Sequence, residues 1–361
     1  MTDRDYDIAL VLSGGNALGA YQAGAYQALQ EHGVEPDWVA GASAGAINGA
    51  IICGNQPGQR LSKLRTFWGV DGNHAPQADA IWTPLDETRR TAAAVMTLAG
   101  GRPGLFVPRH MFGPWWNPLG STKPSSLYDA KPLAQTLESL VDFDLLNDAP
   151  PRFSVTAVDV ESGEDIAFDT KNRVVTTEHL RASSALLPAF EPVDIEGRLV
   201  GDAGISVNLP LDVVLSDRHD RPLLCIAIDL LPLSASRPTT LGATVARTQD
   251  LIFATQSRRA IASWQAIFDE RARHGASDQV TLVHLDYADQ QREVSGKAFD
   301  YSAASAAARW RKGCEDMAAI LQALPWKPIT KAGLTVYRPA QNSPEERYLQ
   351  AVHWSLAPVR G

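Results

Sequence analysis

The chain has 361 residues, 45% hydrophobic and 20% charged, with a formal net charge of −8 at pH 7. That balance suits one large globular domain or two closely packed ones, and the lack of any Lys/Arg-rich block argues against a nucleic-acid-binding face. The three scattered cysteines have no disulfide-framework or metal-site spacing, the polar start Met1-Thr2-Asp3-Arg4-Asp5 is no signal peptide, and no apolar run nears the roughly 20 residues of a membrane span, so a cytoplasmic protein is expected, with any membrane contact peripheral.

The apolar run 8–12 lacks polar alternation, as a strand buried on both faces would. It ends in the Gly-rich stretch 13–19. A helix is predicted over 20–31, with Tyr21, Ala25 and Leu29 along one side and Gly33 as its stop signal. The next strand, 38–42, runs into Gly41-Ala42-Ser43-Ala44-Gly45, and 45–52 is helix-compatible. Strand, serine-bearing G-x-S-x-G turn and helix form the setting of a nucleophile elbow. Ser43 is the candidate nucleophile, and Gly41 and Gly45 are the small residues that let the turn close. The βαβα order predicts a parallel sheet with a right-handed crossover.

The Gly-rich stretch fails as a dinucleotide fingerprint, because Asn16 stands where the second glycine is required. Its other reading is an oxyanion hole, in which the backbone N–H groups around Gly14, Gly15, Asn16 and Gly19 face a developing negative charge beside Ser43.

Helices are predicted over 60–68 and 86–98. Segment 103–118 holds too much proline and glycine for a long regular element, yet it carries Phe106, Met111, Phe112, Trp115 and Trp116. As a group these read as a lid or acyl-binding wall. A helix over 132–141, a hairpin-like pair at 153–160 and 165–168, a short helix over 177–184 and an apolar strand over 223–231 follow. The longest helix is predicted over 239–273, with Leu241, Val245, Ile252, Trp264 and Phe268 at core spacing. Residues 280–285 read as the last central strand, and 304–324 as a helix whose Arg309, Arg311 and Lys312 form a solvated face. The tail from 325 reads as an extended arm. The expected division is a catalytic core over 1–231, a packed helical extension over 232–330 and a tail over 331–361.

A serine nucleophile needs a base. After Ser43 come His74, His110, His179, His219, His274, His284 and His353, none of them in a Gly-rich strand-end loop. Asp202 is in such a loop. Gly201-Asp202-Ala203-Gly204 follows a strand, and the small Ala203 and Gly204 let another loop come close to the carboxylate. An Asx-type turn is the structural alternative for this aspartate.

Four stretches in this order, 12–21, 41–45, Ala182-Ser183-Ser184-Ala185-Leu186-Leu187-Pro188, and Asp202-Ala203-Gly204 with Asn208-Leu209-Pro210, resemble the patatin-like phospholipases over roughly residues 8–211. The resemblance implies a three-layer α/β/α sandwich with a mostly parallel sheet. It implies hydrolysis of lipid acyl esters through a Ser–Asp dyad, with Ser43 as nucleophile, Asp202 as base, the 14–19 amides as oxyanion hole, and no metal or cofactor. Beyond about residue 231 the chain resembles bacterial members with an extra C-terminal helical region. Two departures stand out: Asn16 replaces the family's usual third glycine, and Leu18 replaces a usual Arg or Lys that would help fix the loop. A Ser–His–Asp esterase and a catalytically weak lipid-binding protein on the same fold remain the other readings. Lipid head group and oligomeric state are not specified by the sequence.

Overall fold

A computed structural model describes residues 4–70, 84–109, 126–324, 332–339 and 349–354. The first unit is strand β1 (Asp7–Leu12), helix α1 (Ala20–Glu31) and strand β2 (Trp38–Ala42), paired parallel to β1 with Leu12 opposite Gly41. Helix α2 (Ala44–Cys53) leaves β2 after one residue, Ser43. Helix α3 (Pro57–Trp68) opens on a proline whose missing N–H costs nothing in the first turn, and it closes at Gly69 with a left-handed φ of 67°. Helix α4 (Pro84–Gly100) comes next, then a two-strand ribbon of β3 (Val107–Pro108) and β4 (Tyr128–Asp129).

Helices α5 (Lys131–Leu140) and α6 (Phe143–Asp148) lead into strands β5 (Arg152–Asp159) and β6 (Asp165–Asp169), which form an antiparallel pair. Then come α7 (Thr177–Ser183), β7 (Val193–Ile195), β8 (Arg198–Asp202), α8 (Leu211–Leu215) and β9 (Leu223–Asp229). The last elements are α9 (Leu241–Arg273), β10 (Gln279–Asp286), α10 (Ala303–Ala323), β11 (Gly333–Pro339) and β12 (Leu349–Ala351).

Ten strands form one sheet in the order β12-β11-β10-β9-β1-β2-β5-β8-β7, with β6 paired to β5 off this path. From β11 to β5 every neighbouring pair is parallel, and antiparallel strands finish both edges. Side chains of β1 alternate between two cores. Ile8, Leu10 and Leu12 meet residues of α1, α2 and α10, whereas Ala9 and Val11 meet residues of α8 and α9. The architecture is therefore a helix–sheet–helix sandwich. Strand β1 sits where the strand order turns back, with β2 on one side and β9 on the other, and such switch points open a crevice at the carboxyl ends of the strands.

Three expectations need correction. Strand β10 is not the last of the sheet, because part of the tail adds β11 parallel to it and β12 beyond. Along α9 only Trp264 and Phe268 of the expected core positions are buried, while Leu241, Val245 and Ile252 are 82%, 62% and 55% exposed. The second half of α9 lies on the sheet, and the first half carries its apolar stripe past it. Arg309 is not on a solvated face: its side chain is wholly buried, with Glu293 as its ion-pair partner at 2.7 Å.

Helix α10 lies directly against α1. A Cβ at Gly24 would stand 1.8 Å from the Trp310 carbonyl oxygen, and one at Gly313 would stand 1.9 Å from that of Tyr21. Neither backbone has room to move without parting the helices. Gly24→Ala and Gly313→Ala should each lower unfolding stability by about 1–3 kcal/mol, read as a reduced urea midpoint at unchanged slope.

Candidate active site

The β-sheet register brings two loops to one level. Ala42, the last residue of β2, pairs with Thr156, and Asp202, the last residue of β8, pairs with Ala157. Ser43 is the next residue after Ala42. The turn between β2 and α2 is tight because both flanking glycines are spent on close contacts. A Cβ at Gly45 would lie 2.2 Å from the Leu12 carbonyl oxygen, and one at Gly41 would lie 2.5 Å from that of Gly45. Ser43 itself adopts φ 53° and ψ −122°, a region that L-residues rarely occupy. Its N–H donates to Ser183 Oγ at 2.9 Å, so the end of α7 clamps the turn.

Asp202 is 2% exposed. Its carboxylate accepts the Gly204 N–H at 2.7 Å as the cap of the short turn Ala203–Ile205, and it lines the same cleft as Ser43. The Asx-type turn and the place beside serine therefore coexist in one residue. Burial is the dominant influence on this carboxyl and pushes its pKa up to about 6, against the opposing pull of the Ser43 hydroxyl and the Gly204 N–H.

The Gly-rich loop closes the third side. Gly14, Gly15 and Asn16 line one small cleft of about 350 Å³ together with Ser43 and Asp202. The Gly14 N–H donates to the Asn208 carbonyl at 3.1 Å, so it is not free for a ligand. Gly15 caps and Asn16 opens a single 3-10 turn, Asn16–Gly19, and at such a start the first amides have no partner within the helix. Asn16 takes φ 49°, a left-handed angle that asparagine tolerates better than most residues. Gly19 stands apart from the cleft: it lies under the Trp68 ring, which would be 2.6 Å from an added Cβ.

Buried side chains hold this loop from behind. Gln22 Nε2 donates to the Ser13 carbonyl at 2.9 Å, Asn48 Nδ2 donates to the Gly19 carbonyl at 2.9 Å, and Trp68 Nε1 donates to Asn48 Oδ1 at 2.8 Å. Arg309 grips Glu293 with two nitrogens at 2.8 and 2.7 Å and donates from its third to the Ala17 carbonyl at 3.0 Å. Leu18, at the position where a cation was expected in the loop, is wholly buried in the core. The cation that fixes this loop comes instead from α10.

A second cleft, enclosing about 500 Å³, opens on the other side of Ser43. Its walls are Ile47, Phe67, Trp68, Leu105, Phe106, Leu133, Phe190 and Tyr301, and its polar members are Asn16, Ser43, Ser184 and Arg181. Phe106 packs edge-on against Tyr128 and Phe190 at centroid distances of 5.0 and 5.2 Å. Met111, Phe112, Trp115 and Trp116 lie outside the described residues. Among the described histidines, His32, His179, His219, His274, His284 and His353, none lines either cleft at Ser43; His74 and His110 are not among the described residues.

Sequence reading missed the wall residues 67, 68, 105, 133, 190 and 301 and the supports Gln22, Asn48 and Arg309. One signal was present: Asn48 is the lone polar side chain in the apolar helix α2, and such a residue must find buried partners.

A family model described as patatin-like phospholipase matches residues 10–215, and a second, described as patatin phospholipase, matches residues 254–332. Neuropathy target esterase of Drosophila sechellia is 41% identical over 68 residues, which is 17% of this chain and 5% of that protein. An uncharacterized NTE family protein of Mycobacterium tuberculosis is 28% identical over 220 residues, 61% of this chain and 30% of that protein. The chain thus spans less than a third of the length of either relative. Among solved structures, VipD from Legionella pneumophila overlays with a TM-score of 0.36 at 14% identity, covering 85% of this chain and 67% of that one. At that score the overlay carries no weight in placing the site.

The opposed influences on Asp202 can be separated. Ser43→Ala removes a hydroxyl whose influence favours the carboxylate, so the Asp202 pKa should rise further above about 6. Carboxyl-carbon NMR titration reads this directly; a fall would show that the serine does not stabilise the anion.

Proposed function

The chain belongs to the patatin-like phospholipase family, and on that premise we propose that it is a serine acyl hydrolase acting on lipid esters. One observation carries the reading: a buried carboxylate, Asp202, lines one small cleft with Ser43, Gly15 and Asn16, and Ser43 also lines an apolar cleft beside it. Asp202 accepts the hydroxyl proton as Ser43 Oγ bonds to the ester carbonyl carbon. The N–H groups of Gly15 and Asn16 donate to the resulting oxyanion, and the N-terminal end of α2 adds its positive dipole. The tetrahedral intermediate collapses, the C–O bond to the alcohol breaks, and the alcohol leaves with the proton from Asp202. Water then attacks the acyl-serine while Asp202 takes its proton, and that proton returns to Ser43 as the acid is released.

A base with a pKa of about 6 is mostly ionised at neutral pH, and it is a stronger proton acceptor than an exposed aspartate. The acyl chain occupies the apolar cleft, whose walls are aliphatic and aromatic side chains. All reacting groups come from 1–231, and the chain from 232 onward supports them. Among the described residues no helix is long and apolar enough to cross a membrane.

Ester hydrolysis by the wild type, Ser43→Ala and Asp202→Asn is the test. Each substitution should lower kcat/KM by at least about 10³-fold, and a fluorophosphonate probe should label the wild type but not Ser43→Ala. Full activity in Asp202→Asn would remove aspartate from the mechanism. The reacting form of Asp202 is the anion, so kcat/KM should fall as pH drops through about 6. Stability runs the other way: a carboxyl with a raised folded pKa favours folding below its unfolded value near 3.8, and that contribution is lost as pH rises through about 6. Leu133→Trp, which fills the apolar cleft, should shift the preference from long to short acyl esters in a chain-length series of p-nitrophenyl substrates.

A further inference from the structure

We propose that Arg181 binds the phosphate of a glycerophospholipid in the cleft that opens on Ser43. The inference rests on the hydrolase reading for its choice of substrate and adds the class of head group. Arg181 lies in the last turn of α7 and, among the described residues, is the one charged side chain lining this cleft. Its residue is half-buried, and its Nε is fully buried with no hydrogen-bond partner among the described residues. Arg60 pairs with Glu35 at 2.6 Å, Arg152 with Asp169 at 2.7 Å and Asp217 at 2.6 Å, and Arg309 with Glu293 at 2.7 Å. Arg102, which has no ion pair among the described residues, donates instead to the Phe67 carbonyl at 2.7 Å and lies over the Tyr301 ring at 4.4 Å. Among the described residues no carboxylate forms an ion pair with Arg181. A guanidinium never gives up its proton at physiological pH, so this charge is permanent, and leaving it half-buried without a counter-ion is costly.

Such a cation is useful where a ligand supplies the missing anion. A planar guanidinium matches two phosphate oxygens at once, which makes it a better phosphate receptor than a point charge. The surroundings narrow the ligand further. The cleft walls are apolar, and Ser43 and the charge line the same cleft. An amphiphile fits that set: a hydrocarbon chain against the walls, an ester at Ser43, and an anionic phosphate separated from it by the few atoms of a glycerol unit. A neutral acylglycerol would fill the same walls and leave the guanidinium unmatched. Helix α7 also fixes the distance between the two functions, because Ser183, two residues on, holds the Ser43 N–H.

The test uses a ligand with no ester to cleave, so that it is independent of turnover. Binding of an ether-linked lysophosphatidylcholine is compared with that of the alkylglycerol of the same chain, in the wild type, Arg181→Gln and Arg181→Lys. The preference for the phosphate-bearing ligand should fall roughly 10- to 100-fold in Arg181→Gln and be partly kept in Arg181→Lys. An unchanged ratio, whether both ligands weaken equally or neither weakens, would overturn the proposal. A changed ratio for a fatty-acid carboxylate alone would do the same, since it would make Arg181 a product site. If the ratio falls as expected while Ser43 resists the fluorophosphonate probe, the phosphate site stands and the hydrolase reading fails. If Ser43 is labelled and the ratio does not move, the reverse holds.

Discussion

The site depends first on how closely α2 approaches the end of β1. With no side chain at Gly45, the helix backbone sits against the Leu12 carbonyl, and the turn between has only one residue in which to reverse direction. Ser43 takes up that reversal in its own dihedral angles. A backbone angle of this kind costs about 1–3 kcal/mol and persists only where the surroundings over-determine it. Here the surroundings are the pairing of β2 between β1 and β5, the first turn of α2 and the hydroxyl of Ser183. Of the non-glycine residues with positive φ among those described, Ser43 and Asn16 face the same cleft. Strain in this protein is concentrated where the chemistry is proposed.

The second requirement is a stiff Gly-rich loop, and glycines alone give the opposite. Stiffness comes from outside the loop. Carbonyls of Ser13, Ala17 and Gly19 are each held by a buried side chain, Gln22, Arg309 and Asn48. Fixing these carbonyls pins the chain on either side of Gly15 and Asn16, so the amides of those two residues are held between two anchored points. The Arg309–Glu293 pair is wholly buried, and Glu293 is held well below the usual carboxylate range, to about 2, by Arg309 and Arg90 against the opposing influence of burial. Breaking such a pair leaves an unmatched charge in the core, so this buttress is stable only when complete.

Much of this was legible in the sequence because it depends on local pattern. The runs 8–12, 38–42 and 223–231 lack alternation because their strands are buried on both faces, and the glycines around Ser43 announce a tight turn. The fold class follows from that alternation of strands and helices and agrees with the patatin-like family match. What was not legible depends on partners remote in sequence. Arg309 stands among Arg311 and Lys312 and reads as one of a solvated group; only the arrival of Glu293 and Ala17 beside it reverses that. Leu241, Val245 and Ile252 have core spacing, but spacing cannot say where the sheet beneath a helix stops. The apolar cleft draws its walls from α2, α3, α5 and three loops, so no single stretch announced it, although Phe106 was among those expected. The gap left by Leu18 suggested a slack loop, and its remedy lies 292 residues away from Ala17.

That separation bears on how the protein is made. Ser43, its elbow and the Gly-rich loop all leave the ribosome within the first fifty residues, yet the side chain that fixes the loop is on α10, which also needs α1 to pack against. Contacts this far apart form late, because the chain between them must first be gathered in. During synthesis the early βαβα unit therefore presents its serine with an untethered loop beside it. The loop gains this tether only when the distal helix docks, so its fixed form belongs to the completed fold and not to the early unit.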